Sequence, residues 1–147
     1  MILKLEENTA QKDIEISISY PQKDKTVDRI VSLIQSFDRQ IECYSGDSIK
    51  WINASDICYI ESIDKKTIVF CEKGSYQVRK RLYQMYEELA DNGFVQISKY
   101  CILNINKLVE IKQLLNSHLE AVLSNGIHLY VTRKYLNGIK QTLQKDE

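Results

Sequence analysis

Apolar and polar residues alternate with two different periods along the chain, and each period predicts one kind of element. Ile14, Ile16 and Ile18 alternate with polar residues, which is typical of a half-buried strand. Apolar positions then recur every three or four residues, which predicts one amphipathic helix that begins near Asp24 and ends near Asp38. After that helix, short strands are favoured again.

The central part of the chain predicts an antiparallel meander. Turn-forming residues, such as those around Gly74, separate short runs with a period of two. These runs predict strands at residues 41–44, 48–52, 57–63, 67–72 and 76–79. Apolar residues at helical spacing from Leu82 to Leu89 then predict a second helix, which ends at Gly93.

A β-hairpin followed by a helix is predicted for the C-terminal part, and the loop length decides the register of the hairpin. A two-residue turn at Asn125-Gly126 would mix polar and apolar residues on one face. A three-residue loop that includes Ser124, with Gly126 in the left-handed region, gives one wholly apolar face. The facing pairs are then Leu123 with Ile127, Ala121 with Leu129, and Leu119 with Val131. We expect Thr132 to cap the final helix.

The composition is that of one ordinary globular domain. The chain has 147 residues, of which 44% are hydrophobic and 27% are charged, and a chain of this length can bury roughly two thirds of its unfolded surface. No apolar run approaches the roughly 20 residues that cross a membrane. The first residues lack the apolar stretch and the cleavage site of a secretory signal. We therefore expect a cytoplasmic protein.

The four cysteines argue against metal or disulfide chemistry. No two of them form a C-x-x-C pair, no histidine lies at ligand spacing, and each cysteine stands among apolar residues. We expect reduced thiols that pack in the core. We also expect no metal and no cofactor.

The charge is distributed unevenly along the chain. Residues 1–64 contain 12 acidic and 7 basic side chains, whereas residues 65–147 contain 8 acidic and 13 basic ones. This asymmetry favours an anionic partner for the C-terminal part. A solvated surface with merely uneven charge is an alternative that the charge count leaves open.

Catalytic constellations are missing from the sequence. It contains none of the phosphate-binding or nucleophile motifs G-x-x-x-x-G-K-[ST], G-x-G-x-x-G and G-x-S-x-G. His118 and His128 fall on the polar face of the terminal hairpin, where a surface role is expected. The chain is therefore predicted not to be an enzyme.

An interrupted strand is the strongest local signal of function. The apolar segment that begins at Phe94 is broken by Ser98, Lys99 and Tyr100 before it resumes and reaches Asn104. Loops held by rigid strands are where proteins place groups that contact other molecules. Other basic residues also stand in connecting segments, at positions 65–66, 79–81, 107 and 133–134.

Four segments carry a family resemblance: DICYIES (56–62), YQVRKRLYQMYEEL (76–89), GFVQISKYCILNINKLVEI (93–111) and SNGIHLYVTRKYLNGIK (124–140). Their order and spacing resemble the LytTR-type DNA-binding domains of bacterial transcription regulators. The resemblance covers residues 45–144. Residues 1–44 resemble the strand-helix extension of stand-alone members, which lack a receiver domain. We therefore divide the chain into an extension (1–44) and a LytTR-like domain (45–147).

The resemblance implies an elongated, mainly β domain with short helices, whose inter-strand loops enter the major groove of double-stranded DNA at promoter repeats. A homodimer on repeated half-sites is expected, because one small domain contacts only about one helical turn. Arg133 could contact a guanine edge or clamp a phosphate, and the resemblance favours the base contact. Asn104 is expected to bury its amide instead. The DNA-binding residues that the resemblance implies are Lys65, Lys66, Thr67, Ser98, Lys99, Arg133 and Lys134.

The sequence departs from the family pattern in two places. A second function also stays open. Residues 96–100 replace an Arg-x-His-Lys-Ser-like block of many members, and Thr132 replaces a serine, so the base preference does not carry over. The alternative function is a β-rich protein-interaction module, for example one that a small membrane protein sequesters. Cations on three separate loops, Lys66, Lys99 and Arg133, favour DNA over that alternative.

Overall fold

Short runs of β-branched and aromatic residues, each ended by a turn, build most of the fold. The computed structural model describes residues 1–115 and 118–143. The strands are β1 (Gln40–Ser45), β2 (Ser48–Asn53), β3 (Ile57–Ile63), β4 (Lys66–Cys71), β5 (Gly74–Val78), β6 (Phe94–Ser98), β7 (Cys101–Asn104), β8 (Leu108–Gln113), β9 (Leu119–Leu123) and β10 (His128–Val131). The helices are α1 (Lys25–Asp38), α2 (Leu82–Leu89) and α3 (Arg133–Leu143).

The strands form two antiparallel sheets. The larger sheet has the order β2-β1-β5-β4-β3-β7-β6, and the smaller has the order β10-β9-β8. Every strand pair in the described part of the chain is antiparallel. All five strands predicted between residues 41 and 79 are present, with small shifts at their ends. The mainly β fold class with short helices is therefore confirmed.

Strands β3, β6 and β7 of the larger sheet contribute residues to two apolar clusters. One cluster includes α2 through Met85 and Leu89. The other includes the smaller sheet and α3 through Leu123 and Ile139. Because both clusters draw on β7, all four of its residues are buried, and it reads in the sequence as a continuous apolar run rather than an alternating one.

Helix α1 begins where its sequence predicts. The carboxylate of Asp24 accepts a hydrogen bond from the N–H of Val27 at 2.9 Å and so caps the helix. At the other end, Arg39 accepts the N–H of Ala54 at 2.8 Å through its backbone carbonyl. This bond ties the C-terminal end of α1 to the turn that follows β2.

Residues 14–18, which alternate like a strand, do not form one in the structure. Ile14 is 86% exposed and Ile16 is 58% exposed, and the segment is assigned to no helix or strand. A strand is stable only when a neighbour pairs its backbone groups, and alternation alone supplies no neighbour. The strand prediction for the extension is therefore wrong for the single chain.

The division of the chain after residue 44 stays a prediction. Strand β1 crosses that boundary, and Tyr44 pairs with Gln77 of β5. The larger sheet consequently includes residues from both sides of the boundary.

The terminal hairpin has the predicted register. Leu129 pairs with Ala121 and Val131 pairs with Leu119, and Leu123 accepts the N–H of Gly126 through its carbonyl at 2.9 Å. Gly126 has φ +86°, so the three-residue loop with a left-handed glycine is confirmed. Helix α3 starts at Arg133, directly after Thr132, as expected.

The amide of Asn104 is buried, as predicted, and it ties the chain together after the interrupted strand. Its Nδ2 donates to the carbonyl of Ile57 at 3.0 Å, and its Oδ1 accepts from the N–H of Asn106 at 3.0 Å. The residue is 2% exposed. Asn104 therefore links the end of β7 to the start of β3.

The cysteine thiols are free, and their environment makes them unreactive. Cys43, Cys58 and Cys101 are buried, while Cys71 is partly buried. Burial raises the pKa of Cys43 to about 11 and that of Cys71 to about 12, so both thiols stay protonated near neutral pH and are poor nucleophiles. No helix in the described residues is long and apolar enough to cross a membrane.

Candidate nucleic-acid interface

The β3–β4 connection is a tight turn that projects two lysines. Ile63 pairs with Lys66, so Asp64 and Lys65 form a two-residue turn. Both turn residues have positive φ angles, +50° and +66°, which matches the type I′ turn that two-residue hairpins favour. Lys65 and Lys66 are exposed, and the turn fixes the direction in which the chain presents them.

The interruption after β6 is a second hairpin turn. Ser98 pairs with Cys101, and Lys99 and Tyr100 lie between them. The N–H of Tyr100 donates to the hydroxyl of Ser98 at 3.3 Å, while the carbonyl of Tyr100 accepts the N–H of Ser62 at 2.8 Å. The second bond joins this turn to the end of β3, next to the β3–β4 turn.

The start of α3 lies beside the same end of the sheet. The N–H of Thr132 donates to the carbonyl of Ile97 at 2.8 Å, which places Arg133 close to the end of β6. Arg133 and Lys134 are exposed, and the Lys134 ammonium lies 5.5 Å from the centroid of the Tyr135 ring. The helix therefore adds a third cationic segment to the two turns.

These three segments form one surface, which we call the three-loop surface and define by Lys65, Lys66, Lys99, Arg133 and Lys134. Within the described part of the chain, none of the three lysines that lie on the two turns forms a salt bridge. Their charges therefore remain available to an anion. The acidic residue inside the β3–β4 turn, Asp64, lies at its tip.

Two residues that the resemblance implied as DNA contacts have other positions. Thr67 is 4% exposed and pairs with Val78 and Ser62 inside the larger sheet. Its side chain is therefore buried in the free chain, and its role as a DNA contact stays a prediction. The hydroxyl of Ser98 is partly buried and accepts the N–H of Tyr100. Ser98 thus shapes the turn that carries Lys99.

Two of the three basic residues that follow β5 contact other side chains of the chain. The Arg79 guanidinium lies 4.2 Å from the centroid of the Tyr44 ring, and Lys80 forms an ion pair with Glu88 at 2.8 Å. Burial alone would raise the pKa of Glu88, but hydrogen bonds from Lys80 and Arg39 outweigh it and hold that pKa below its usual range. Lys80 is therefore engaged with the chain itself.

The topology brings His118 and Tyr130 near the start of α3, where Arg133 and Lys134 lie. Neither His118 nor Tyr130 was predicted as a site residue. Leu119 pairs with Val131 directly before Thr132, so His118 lies near the start of α3. The His118 and Tyr130 ring centroids are 5.8 Å apart, and Tyr130 is 58% exposed. The antiparallel register of the hairpin is the sequence signal that could have placed them.

The described residues do not form a metal site. No group of three or more histidine, cysteine, aspartate or glutamate side chains that could hold a metal ion occurs in residues 1–115 and 118–143. The imidazole of His128 contacts the carboxylate of Glu120 on the exposed face of the hairpin. This pair lies on an open strand face and not in a cleft.

A family model described as the LytTr DNA-binding domain matches residues 47–144. The chain belongs to the LytTR family. The match covers β2 to α3, and so it includes all three segments of the three-loop surface. LytTR domains bind DNA and regulate transcription, and the prediction that the chain is not an enzyme is confirmed by this membership.

The LytTR chain has relatives of nearly the same length. Uncharacterised HTH-type transcriptional regulators from Staphylococcus aureus strains NCTC 8325 and COL are each 26% identical to it over 145 residues, which is 97% of this chain and 98% of theirs. The sensory transduction protein LytT of Bacillus anthracis is 28% identical over 98 residues, which is 67% of this chain and 40% of that protein.

A solved structure has the same fold. The LytTr DNA-binding domain of a Bacillus cereus protein described as a methyl-accepting/DNA response regulator matches with a TM-score of 0.65 at 22% identity, over 71% of this chain and 95% of that one. Strands separate the α-helices in the described residues of this LytTR chain. That part of the chain consequently contains no helix-turn-helix, although the staphylococcal relatives carry that term in their names.

Proposed function

We propose that this LytTR chain recognises specific sequences in duplex DNA by placing its inter-strand turns in the major groove. The observation that carries the proposal is the pair of backbone hydrogen bonds, from Ser62 to Tyr100 and from Thr132 to Ile97, that joins three cationic segments at one end of the sheet. Because these bonds are between backbone atoms, the fold itself fixes the relative positions of the three segments that carry the cations.

The dimensions of the surface suit the groove. The β3–β4 turn and the β6–β7 turn are separated by two strand positions in the sheet order, which corresponds to about 10 Å. The major groove of B-DNA is about 12 Å wide and admits a two-stranded ribbon. One hairpin turn can therefore enter the groove while the neighbouring turn meets the phosphates at its edge.

The cations have different roles in this proposal. The planar guanidinium of Arg133 can make two parallel hydrogen bonds to a guanine edge, whereas Lys66 and Lys99 are point charges that suit phosphates. Arg133 therefore supplies discrimination between sequences, and the lysines supply affinity that does not depend on sequence. Lys65 and Lys134 extend the positive field on either side.

Two copies of the chain bind repeated half-sites in this proposal, and they do so in the cytoplasm, where promoters are accessible. A single domain contacts about one helical turn of DNA, and the small number of base pairs in one turn limits how well the domain can distinguish its target from other sequences. Doubling the contacts on adjacent half-sites raises the specificity ratio without a larger domain.

Salt dependence tests the electrostatic part of the proposal. If three to five phosphates are neutralised, a plot of log affinity against log salt concentration should have a slope of roughly −3 to −5. Raising salt from 50 to 200 mM should then weaken binding by about 60- to 1,000-fold. The measurement is fluorescence anisotropy of the full chain on a duplex that the wild-type chain selects from a random library.

Two results would contradict the proposal. The first is an affinity that does not change with salt, because phosphate contacts release counterions. The second is failure to enrich any duplex over the random library. Either result would favour a protein-interaction module on the same scaffold.

A further inference from the structure

A stretch of chain before α1 has the pattern of a strand but has no partner strand in the single chain. Residues 14–19 read Ile-Glu-Ile-Ser-Ile-Ser, and no described backbone hydrogen bond joins residues 15–19 to another element. Ile14 is 86% exposed and Ile16 is 58% exposed. Isoleucines at every second position are strongly β-favouring and are normally half-buried.

The larger sheet has an open edge with a matching surface. Strand β2 lies at one edge of the sheet, with β1 as its described neighbour, so the backbone groups on its other side face outward. It also exposes two apolar side chains at every second position, because Ile49 is 50% exposed and Trp51 is 61% exposed. An open edge of this kind accepts an added strand unless charge or a bulge blocks it.

The two stretches are complementary residue by residue. In the N-terminal stretch, Glu15 lies between two isoleucines, and in β2, Lys50 lies between Ile49 and Trp51. A register that sets Glu15 opposite Lys50 also sets both isoleucines beside the two exposed apolar residues of β2, in either strand direction. Opposite charges and apolar pairs across neighbouring strands are the pairs that stabilise a sheet.

The position of α1 favours pairing between copies over pairing within one chain. Its C-terminal end lies beside the end of β2, where the backbone of Arg39 bonds to Ala54 at 2.8 Å. The N-terminal stretch leaves from the opposite end of this 14-residue helix, about 20 Å away. Even if fully extended, at about 3.4 Å each, the five residues that link the stretch to the helix fall short of that distance.

We propose that residues 14–19 of one copy add as a strand to the open edge of β2 in a second copy, and that the second copy returns the same contact. Two reciprocal exchanges close a symmetric dimer, which leaves no further edge of this kind for larger assemblies. The inference deepens the proposed assembly on repeated half-sites. It is tested without DNA, so its failure would leave the DNA-binding proposal intact.

Sedimentation of the full chain gives the first test. The wild-type chain should be a dimer, and the variant Ile14→Asp/Ile16→Asp should dissociate with a dissociation constant at least about tenfold higher, because it loses buried apolar area on both exchanged strands. The matched control is Leu3→Asp/Leu5→Asp, whose two leucines are 82% and 88% exposed outside the alternating stretch. The control should dimerise like the wild type.

Cross-linking gives the second test, and it separates exchange from self-pairing. Chains with Glu15→Cys and chains with Lys50→Cys should form a disulfide-linked heterodimer when mixed, because opposite residues on paired strands lie within disulfide range. Wild-type chains treated in the same way measure the background from the four native cysteines. A mixture of Leu3→Cys with Lys50→Cys chains should not exceed that background.

Four results would overturn the inference. The wild-type chain could sediment as a monomer, the control Leu3→Asp/Leu5→Asp could dissociate as much as the isoleucine variant, or the mixed cysteine chains could fail to cross-link. A disulfide that forms only inside the double variant Glu15→Cys/Lys50→Cys would show that the strand pairs within its own chain.

Discussion

Replacing Lys66, Lys99 and Arg133 with alanine in one variant is expected to lower affinity for the preferred duplex by roughly 10²- to 10⁴-fold, or about 3–6 kcal/mol. The three residues stand on three different segments that backbone hydrogen bonds hold together. A bound duplex would therefore lose contacts from all three at once. All three side chains are exposed, and circular dichroism of the variant checks that it folds.

A control with the same change in charge separates contact from general electrostatics. Lys23, Lys73 and Lys140 are exposed and lie away from the three-loop surface, before α1, in the β4–β5 turn and towards the end of α3. Their triple replacement with alanine should weaken binding by less than about tenfold, because screening limits the effect of distant charges. Equal losses in the two triple variants would show that net charge, and not this surface, controls binding.

Replacing Asn104 with alanine is expected to lower the free energy of unfolding by about 2–4 kcal/mol. The substitution removes the buried hydrogen bond to the Ile57 carbonyl and leaves the N–H of Asn106 without its acceptor. Each buried polar group that loses its partner costs about 1–3 kcal/mol. Urea denaturation followed by circular dichroism measures the change.

Asn137 provides the matched comparison for the asparagine prediction. It is exposed on α3, so Asn137→Ala should change the free energy of unfolding by less than about 0.5 kcal/mol. A loss below that value for Asn104→Ala as well would mean that the amide of Asn104 does not hold β7 to β3.

Three features of the fold could be predicted from the sequence because residues close together in the chain determine them. The register of the terminal hairpin follows from the need for one apolar face and from the left-handed glycine of its loop, at Gly126. The start of α1 follows from the capping carboxylate of Asp24. The burial of Asn104 follows from its place between two apolar stretches, where an unpaired amide would be costly.

The remaining features depend on contacts between distant segments, which no local pattern encodes. Residues 14–18 alternate like a strand but meet no partner strand within the described chain. Thr67 stands beside two lysines in the sequence, but the pleat of β4 turns it towards the interior. The hydrogen bond from Thr132 to Ile97, which brings Arg133 to the sheet end, joins segments that are far apart in the sequence.

If the three-loop surface reads base sequence, the variant Arg133→Lys should lose discrimination between duplexes. Lysine keeps the charge but loses the planar pair of donors, so a base contact should weaken while a phosphate contact should survive. The measurement is a competition titration of the wild type, Arg133→Lys and Lys99→Ala against the selected duplex and a scrambled duplex of the same composition.

We expect Arg133→Lys to cost roughly 1–3 kcal/mol on the selected duplex and much less on the scrambled one. Lys99→Ala should weaken binding to both duplexes by similar amounts, because a phosphate contact carries no sequence information. Equal losses on the two duplexes for Arg133→Lys would show that Arg133 does not read a base. Full retention of binding by both variants would show that DNA binds to a different surface of the protein.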